Sequence, residues 1–377
     1  MQGITMYFRD NLFKLLNKIC FALYRSNRIR LKNQKIKKCL TQIQDLDRKV
    51  KSRKNIEEPT IIKSILIIDP LYCLGDAIFV NGLLNCFVKE GLDVSIMSRD
   101  ACLDIYKTTK QIKNFFNYKK VEDREKCSKI QFDCILDLQY IEKRKWTEWG
   151  ELLAEQKPAF TLVCSEVLAT SKLYSDFVNL TSVMHFSERM NCIAERILKK
   201  KVSIFPVLNI APATLPRKQC IYVNTVGGRD YRSLSEEQIK SLIDWFENQE
   251  HLFGLFYVPK SHQFQFGKHS AQVQPESFIR ACEIVSSCIA VVSPDTSIVH
   301  VASAFNKPIV AFYCSNDPEA YEQFEMVDVW GPLSQDQMKL LPHKNQKDFW
   351  PKRHSIKEIP ISDLITGMEW LNKTVSH

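Results

Sequence analysis

Along most of the chain, short apolar runs alternate with longer stretches whose apolar positions recur every three or four residues. The short runs predict buried strands at 64–70 (SILIIDP), 93–98 (DVSIMS), 134–138 (CILDL) and 159–164 (AFTLVC). The longer stretches predict helices, one running through LYCLGDAIFVNGLLNCFVKEG to a stop at Gly91 and one over MHFSERMNCIAERILKK. FPVLNIAPATLPRKQ then brings three prolines and no helical period, so it is expected to link two domains. Beyond it the same grammar restarts. CIYVNTVGG, LFGLFYV, CIAVVS and KPIVAFY are its strands, and SEEQIKSLIDWFENQ, ESFIRACEIVSSC and ISDLITGMEWLNK its helices. Ser235 and Gln238 are spaced for a capping box. Alternation of this kind predicts an α/β fold of two parallel sheets facing a cleft, where ligands bind at strand ends. The expected domains are residues 1–57, an extension, 58–205 and 206–377, with the last helix packing back on the first domain.

Charge sharpens the picture of the extension. Residues 1–54 hold 15 Lys and Arg against 3 acids, a net of +12, which leaves −3 on the remainder of a chain whose total is +9. Phe8, Leu12, Leu15, Leu16, Ile19 and Leu23 form an apolar helical stripe, with Arg9, Lys14, Lys18 and Arg25 off it. A basic amphipathic helix of this sort suits an anionic membrane surface, while packing on the body or on another subunit is the alternative. Nucleic acid is not expected, because the basic part has few aromatics and no binding motif. No run reaches the length of a membrane span, and charges interrupt the apolar N-terminus where a signal peptide would be uninterrupted. The 13 cysteines include no C-x-x-C pair, which argues for reduced thiols in a cytoplasmic protein rather than disulfides or zinc. The expected location is the inner face of the cytoplasmic membrane, held peripherally.

Candidate chemistry gathers at three strand-to-helix junctions. In SPDTSIVHVASAFNKPIVAFY, a strand turns through Asp295, Thr296 and Ser297 into a helix whose free N–H groups and dipole suit a phosphate. Thr296 and His300 share one face of that helix, which also fits a capped helix with a core histidine. The other junctions are LGDA, after the first strand, and NTVGGRDYRSLSEEQ. There is no P-loop, G-x-G-x-x-G or H-E-x-x-H, and the D-x-D triplet at 45–47 lies in the basic extension.

In order and spacing, these three junctions resemble glycosyltransferase family 9, the ADP-heptose:lipopolysaccharide heptosyltransferases and their relatives, over about residues 62–375. The resemblance implies a GT-B architecture of two Rossmann-like domains. It implies an inverting, metal-independent transfer of a sugar, heptose from ADP-heptose, to a lipopolysaccharide core or other glycan acceptor, with no cofactor beyond the nucleotide-sugar donor. Asp76 falls at the family's L-G-D position and is expected to be the base that takes the acceptor proton, with Gly75 beside it on the acceptor side. By residue pattern alone, Asp76 would be a helix N-cap. Thr225, Gly227, Arg229, Arg232, Asp295, Thr296, Ser297 and His300 are the expected donor and phosphate contacts. Arg232 stands where the family usually has lysine, Ser297 where many members have glycine, and the G-x-x-x-E element is not clear in PKSHQFQFGKHS. Asp295 is expected to cap its helix or accept a donor hydroxyl, and His300 to meet a phosphate oxygen or brace the turn. A hexose donor on the same fold, or a non-catalytic nucleotide- or glycan-binding scaffold, are the alternatives. The acceptor, the nucleotide base and the oligomeric state are left open by the sequence.

Overall fold

The computed structural model describes residues 26, 30, 33, 34, 37, 38, 40–49, 52–70, 73–139, 146–157, 159–165, 168–180, 184–259, 263–314, 326–342 and 354–376. The stripe from Phe8 to Leu23 lies outside them. Two parallel six-stranded sheets organise the described chain. The first has the order β3-β2-β1-β4-β5-β6, from β1 (Ser64–Ile68), β2 (Asp93–Ser98), β3 (Asn114–Asn117), β4 (Cys134–Asp137), β5 (Phe160–Val163) and β6 (Asp176–Phe177). The second has the order β12-β11-β10-β7-β8-β9, from β7 (Cys220–Asn224), β8 (Phe253–Tyr257), β9 (Ser270–Gln272), β10 (Ala290–Pro294), β11 (Ile309–Phe312) and β12 (Gln337–Leu340). Central strands such as β4, β7 and β10 are buried along their length, as expected where helices cover both faces of a parallel sheet.

Helices α1 (Leu74–Lys89), α2 (Asp100–Tyr106), α3 (Val121–Ser128), α4 (Trp146–Ala154) and α5 (Phe186–Leu198) accompany the first sheet. Helices α6 (Glu236–Glu247), α7 (Phe278–Ser287), α8 (Ser297–Ala304), α9 (Met326–Trp330) and α10 (Ile361–Val375) accompany the second. The capping box of α6 is present as read: Ser235 accepts the Gln238 N–H and Gln238 accepts the Ser235 N–H. Gly91, at φ +82, lies just beyond α1 and allows the left-handed turn into β2.

One expectation is corrected. Helix α10 does not return to the first domain. Leu364, Met368 and Leu371 are buried with Ile239, Leu242 and Val310, on the second sheet beside α6. In the described part of the basic extension, Ile43 and Leu46 are buried with Leu152, Leu153 and Tyr174, so this part packs on the first domain. Asp47 accepts the Ser171 hydroxyl at 2.7 Å and the Lys172 N–H at 2.9 Å. Arg53 is 3% exposed, donates to the carbonyls of Leu153 and Gln156 at 3.0 and 2.9 Å, and is pulled down to about 10 by burial.

The link to the second domain, irregular as predicted, runs along α1. Asn81 on α1 donates to the Val207 carbonyl at 2.6 Å, and a side chain at Gly82 would collide with the Phe205 carbonyl. Among the described residues, the cysteines are all free thiols, no helix is long and apolar enough to cross a membrane, and no His, Cys, Asp and Glu cluster has metal-site geometry.

Candidate active site

A cavity of about 780 Å³ opens between the two sheets. The start of α1 forms one wall: β1 leads through a short connection to Cys73, which is extended and offers no side-chain cap. Asp76 therefore stands inside the first turn of α1, not at its N-cap. There the helix dipole favours the carboxylate, and the residue keeps 9% exposure on the cavity. The glycine before it closes the domain contact. A β-carbon at Gly75 would lie 2.8 Å from His300 Cδ2 and 3.6 Å from Ser297 Cα, so only a bare backbone brings α1 this near α8.

The facing wall is built around the start of α8. Thr296, not Asp295, is the N-cap, accepting the Ile298 N–H at 3.3 Å. Asn224, at the end of β7, donates to Ser293 Oγ and Thr296 Oγ1, each at 3.1 Å. Ser293 in turn donates to the Pro294 carbonyl at 2.8 Å, which leaves the Thr296 hydroxyl as donor in their 3.1 Å contact. The hydroxyl is thus fully engaged by the fold, and what this turn offers an anion is backbone N–H and helix dipole.

Arg232 reaches the cavity because the loop before it folds on itself. The Gly227 N–H donates to Ser233 Oγ at 3.0 Å, and a side chain at Gly227 would strike the Arg232 backbone. The guanidinium lies 3.2 Å from the Asp295 carboxylate. Asp295 therefore orients a cation and does not cap the helix, one of the two roles expected of it. A guanidinium holds further N–H groups beyond that pair, which suits it to phosphate oxygens.

His300 is 4% exposed, packed edge-on to Phe79 at 5.0 Å and tilted to Trp330 at 6.2 Å. Burial, reinforced by His185, pushes it down to about 3, so the ring is neutral at pH 7. Its place against Gly75 is that of a brace between the domains.

Gly75, Asp76, Gly227, Arg232, Asp295, Thr296, Ser297 and His300 all line the cavity. Thr225 and Arg229 do not. Thr225 is buried, giving both its N–H and its hydroxyl to the Tyr257 carbonyl, at 3.0 and 2.9 Å. Arg229 is exposed, and its neighbour Asp230 pairs with Lys357 at 2.8 Å. Residues that sequence reasoning missed complete the walls: Asn224, the tyrosines 222 and 257, Phe278 and Trp330. The polar strand end of CIYVN was the one available signal, since the aromatics read equally well as core.

Fold and cavity together are those of the GT-B architecture, two Rossmann-like domains facing one cleft. The family model of glycosyltransferase family 9 (heptosyltransferase) matches residues 269–356, so the family whose signature the second domain carries is the one the junctions resemble. No curated protein matches the chain by sequence. Among similar solved structures, Escherichia coli heptosyltransferase WaaC with ADP is 14% identical, with a TM-score of 0.63 over 81% of this chain and 99% of that one. A family 9 glycosyl transferase from Veillonella parvula is 13% identical, with a TM-score of 0.62 over 84% and 99%. Escherichia coli ADP-heptose lps heptosyltransferase II is 14% identical, with a TM-score of 0.61 over 83% and 100%.

Proposed function

We propose that the chain is an inverting, metal-independent glycosyltransferase that moves heptose from ADP-heptose onto a lipopolysaccharide core or related surface glycan. The observation that carries this reading is the juxtaposition of Asp76 with the start of α8 across the Gly75 contact. A proton acceptor on one wall and an anion-binding helix end with Arg232 on the other are the two parts that an in-line displacement of a nucleoside diphosphate needs. Asp76 takes the proton of the acceptor hydroxyl as it attacks the anomeric carbon. The α8 N–H groups and Arg232 stabilise the charge growing on the departing diphosphate. Tyr222, Tyr257, Pro275 and Phe278 form an apolar end of the cavity suited to a nucleobase. The ADP and ADP-2-deoxy-2-fluoro heptose bound in structures of Escherichia coli WaaC support the adenine donor. The basic N-terminal residues would hold the enzyme beside a lipid-linked acceptor at the inner membrane face.

The test begins with thermal shifts by ADP, UDP, GDP and CMP on the full chain, with and without magnesium. ADP alone should raise the midpoint, equally in both conditions. Asp76→Asn should then lower transfer from ADP-heptose by about 10² to 10⁴-fold with the ADP shift unchanged. Retained transfer would remove Asp76 as the base, and a shift with UDP instead would replace the donor.

A further inference from the structure

The loop that delivers Arg232 to the cavity is held by a segment 124 residues further along the chain. Asp230–Arg232 form a single tight turn, closed by the Arg232 N–H on the Arg229 carbonyl at 2.9 Å and the Ser233 N–H on the Asp230 carbonyl at 3.0 Å. One turn of this kind is too short to keep its shape unaided. It packs against a second turn, Ile356–Glu358. Ser355 Oγ donates to the Tyr231 carbonyl at 2.8 Å, and Cys314 Sγ, just past β11, donates to the same oxygen at 3.5 Å. Lys357 Nζ donates to both carboxylate oxygens of Asp230 at 2.8 Å. Gln238, from the capping box of α6, gives its side-chain amide to the carbonyls of Ile356 and Ile359 at 3.1 and 2.8 Å.

The second turn is itself firmly shaped. Ser355 and Glu358 form a capping box across it, and His354 Nδ1 donates to Glu358 at 2.8 Å. Ser355 Oγ accepts the Lys357 N–H at 3.2 Å, so its one proton is left for the Tyr231 carbonyl. That carbonyl belongs to the peptide plane that ends at the Arg232 nitrogen. Holding the plane sets the direction in which the Arg232 side chain departs toward Asp295, 3.2 Å from its guanidinium. Neither Ser355 nor Lys357 lines the cavity, and Lys357 with Asp230 is an exposed ion pair of the sort that adds little to stability. What this clasp governs is the aim of one side chain.

We propose that Ser355, acting through the Tyr231 carbonyl, is a positioning residue for Arg232, so that a hydroxyl outside the cavity sets how firmly the diphosphate of a nucleotide is held inside it. Lys357 supports the same turn from Asp230. The inference rests on the reading of Arg232 as the cation that meets the departing diphosphate. A guanidinium released from its turn keeps its charge but loses the fixed fork that matches two phosphate oxygens at once.

Titration calorimetry with ADP on the full chain tests this through a double-mutant cycle. Arg232→Ala should weaken ADP about tenfold, the loss of a charged, forked contact. Ser355→Ala should weaken it about fivefold, and Ser355→Thr, which keeps the hydroxyl, should restore it. In the Arg232→Ala background Ser355→Ala should have no further effect, because residues that act through one contact are not additive. Additive losses, or a Ser355→Ala variant that binds like wild type, would overturn the proposal. Lys357→Met, a surface change, decides the matter if Ser355→Ala does not fold: a loss of about twofold that vanishes in the Arg232→Ala background is expected, and the same loss in both backgrounds, or none in either, overturns it. Failure of the underlying reading looks different. Wild type that does not bind ADP, or Arg232→Ala that binds it undiminished, would remove Arg232 from the diphosphate and the positioning role with it.

Discussion

A methyl group added at Gly75 would sit 2.8 Å from a His300 ring already packed against Phe79 and Trp330, so the ring has nowhere to retreat. Gly75→Ala should therefore push α1 from α8, lowering stability by about 1–3 kcal/mol in urea titrations and lowering kcat at the same time. An unchanged kcat would show that the contact does not set the geometry of the site. Titration adds a second expectation at this scale. The unfolded chain protonates His300 at 6.5 and the folded chain only at about 3, so this residue makes stability fall as pH drops through that window. Asp137 works the other way: folded it takes a proton at about 6, unfolded at 3.8, so it adds stability as pH falls between those values. The two slopes oppose each other. Asp137→Asn should expose the histidine slope, steepening the loss of stability between pH 6 and 4 by about 1.4 kcal/mol per pH unit. Urea unfolding across that range checks it, and parallel curves would refute the opposition.

Helix α5 shows how one element can serve two domains. His185 caps it, its Nδ1 accepting the Ser187 N–H at 3.2 Å, so the proton must sit on Nε2, which donates to the Gly331 carbonyl at 3.1 Å. The next residue, Phe186, stacks on Trp330 at 4.7 Å. His185→Ala should cost about 1 kcal/mol from the lost cap alone. His185→Asn, which can still cap, should recover most of that loss in the same urea titration, while equal losses in the two variants would place the energy in the Gly331 contact instead. Elements also mark where sequence reading succeeds. Strands with continuous apolar runs, such as β2 and β7, were legible almost to the residue. The four that were missed, β3, β6, β9 and β12, are the four sheet edges. An edge strand pairs along one side only, and β12 and β9 keep exposed positions, so the apolar signal thins out. The same limit applied to the site. Motif residues on the turns came together in the cavity, whereas Thr225 turned inward and Asn224, one position earlier, took the turn contacts.

Over the whole molecule, the division into two sheets was legible because the proline-rich link interrupts a repeated grammar. The docking of residues 40–49 and 52–58 was not, because Arg53 reads as one more surface charge until its three buried acceptors are known. The path of the link has a mechanical consequence. It is fastened to the middle of α1 at Asn81 and Gly82, about 9 Å along the helix from Asp76. The spine of the cleft therefore runs beside the proposed base, as the binding of a book runs beside its inner margins. Pages turned about such a spine sweep widely at their outer edge and little near the fold. Hydrogen exchange on adding ADP should accordingly change less in the first turn of α1 than in residues 227–233, and the reverse order would put the pivot elsewhere. Opening about such a spine would keep the proposed base aligned with the start of α8, leaving the outer rim to govern what enters and leaves.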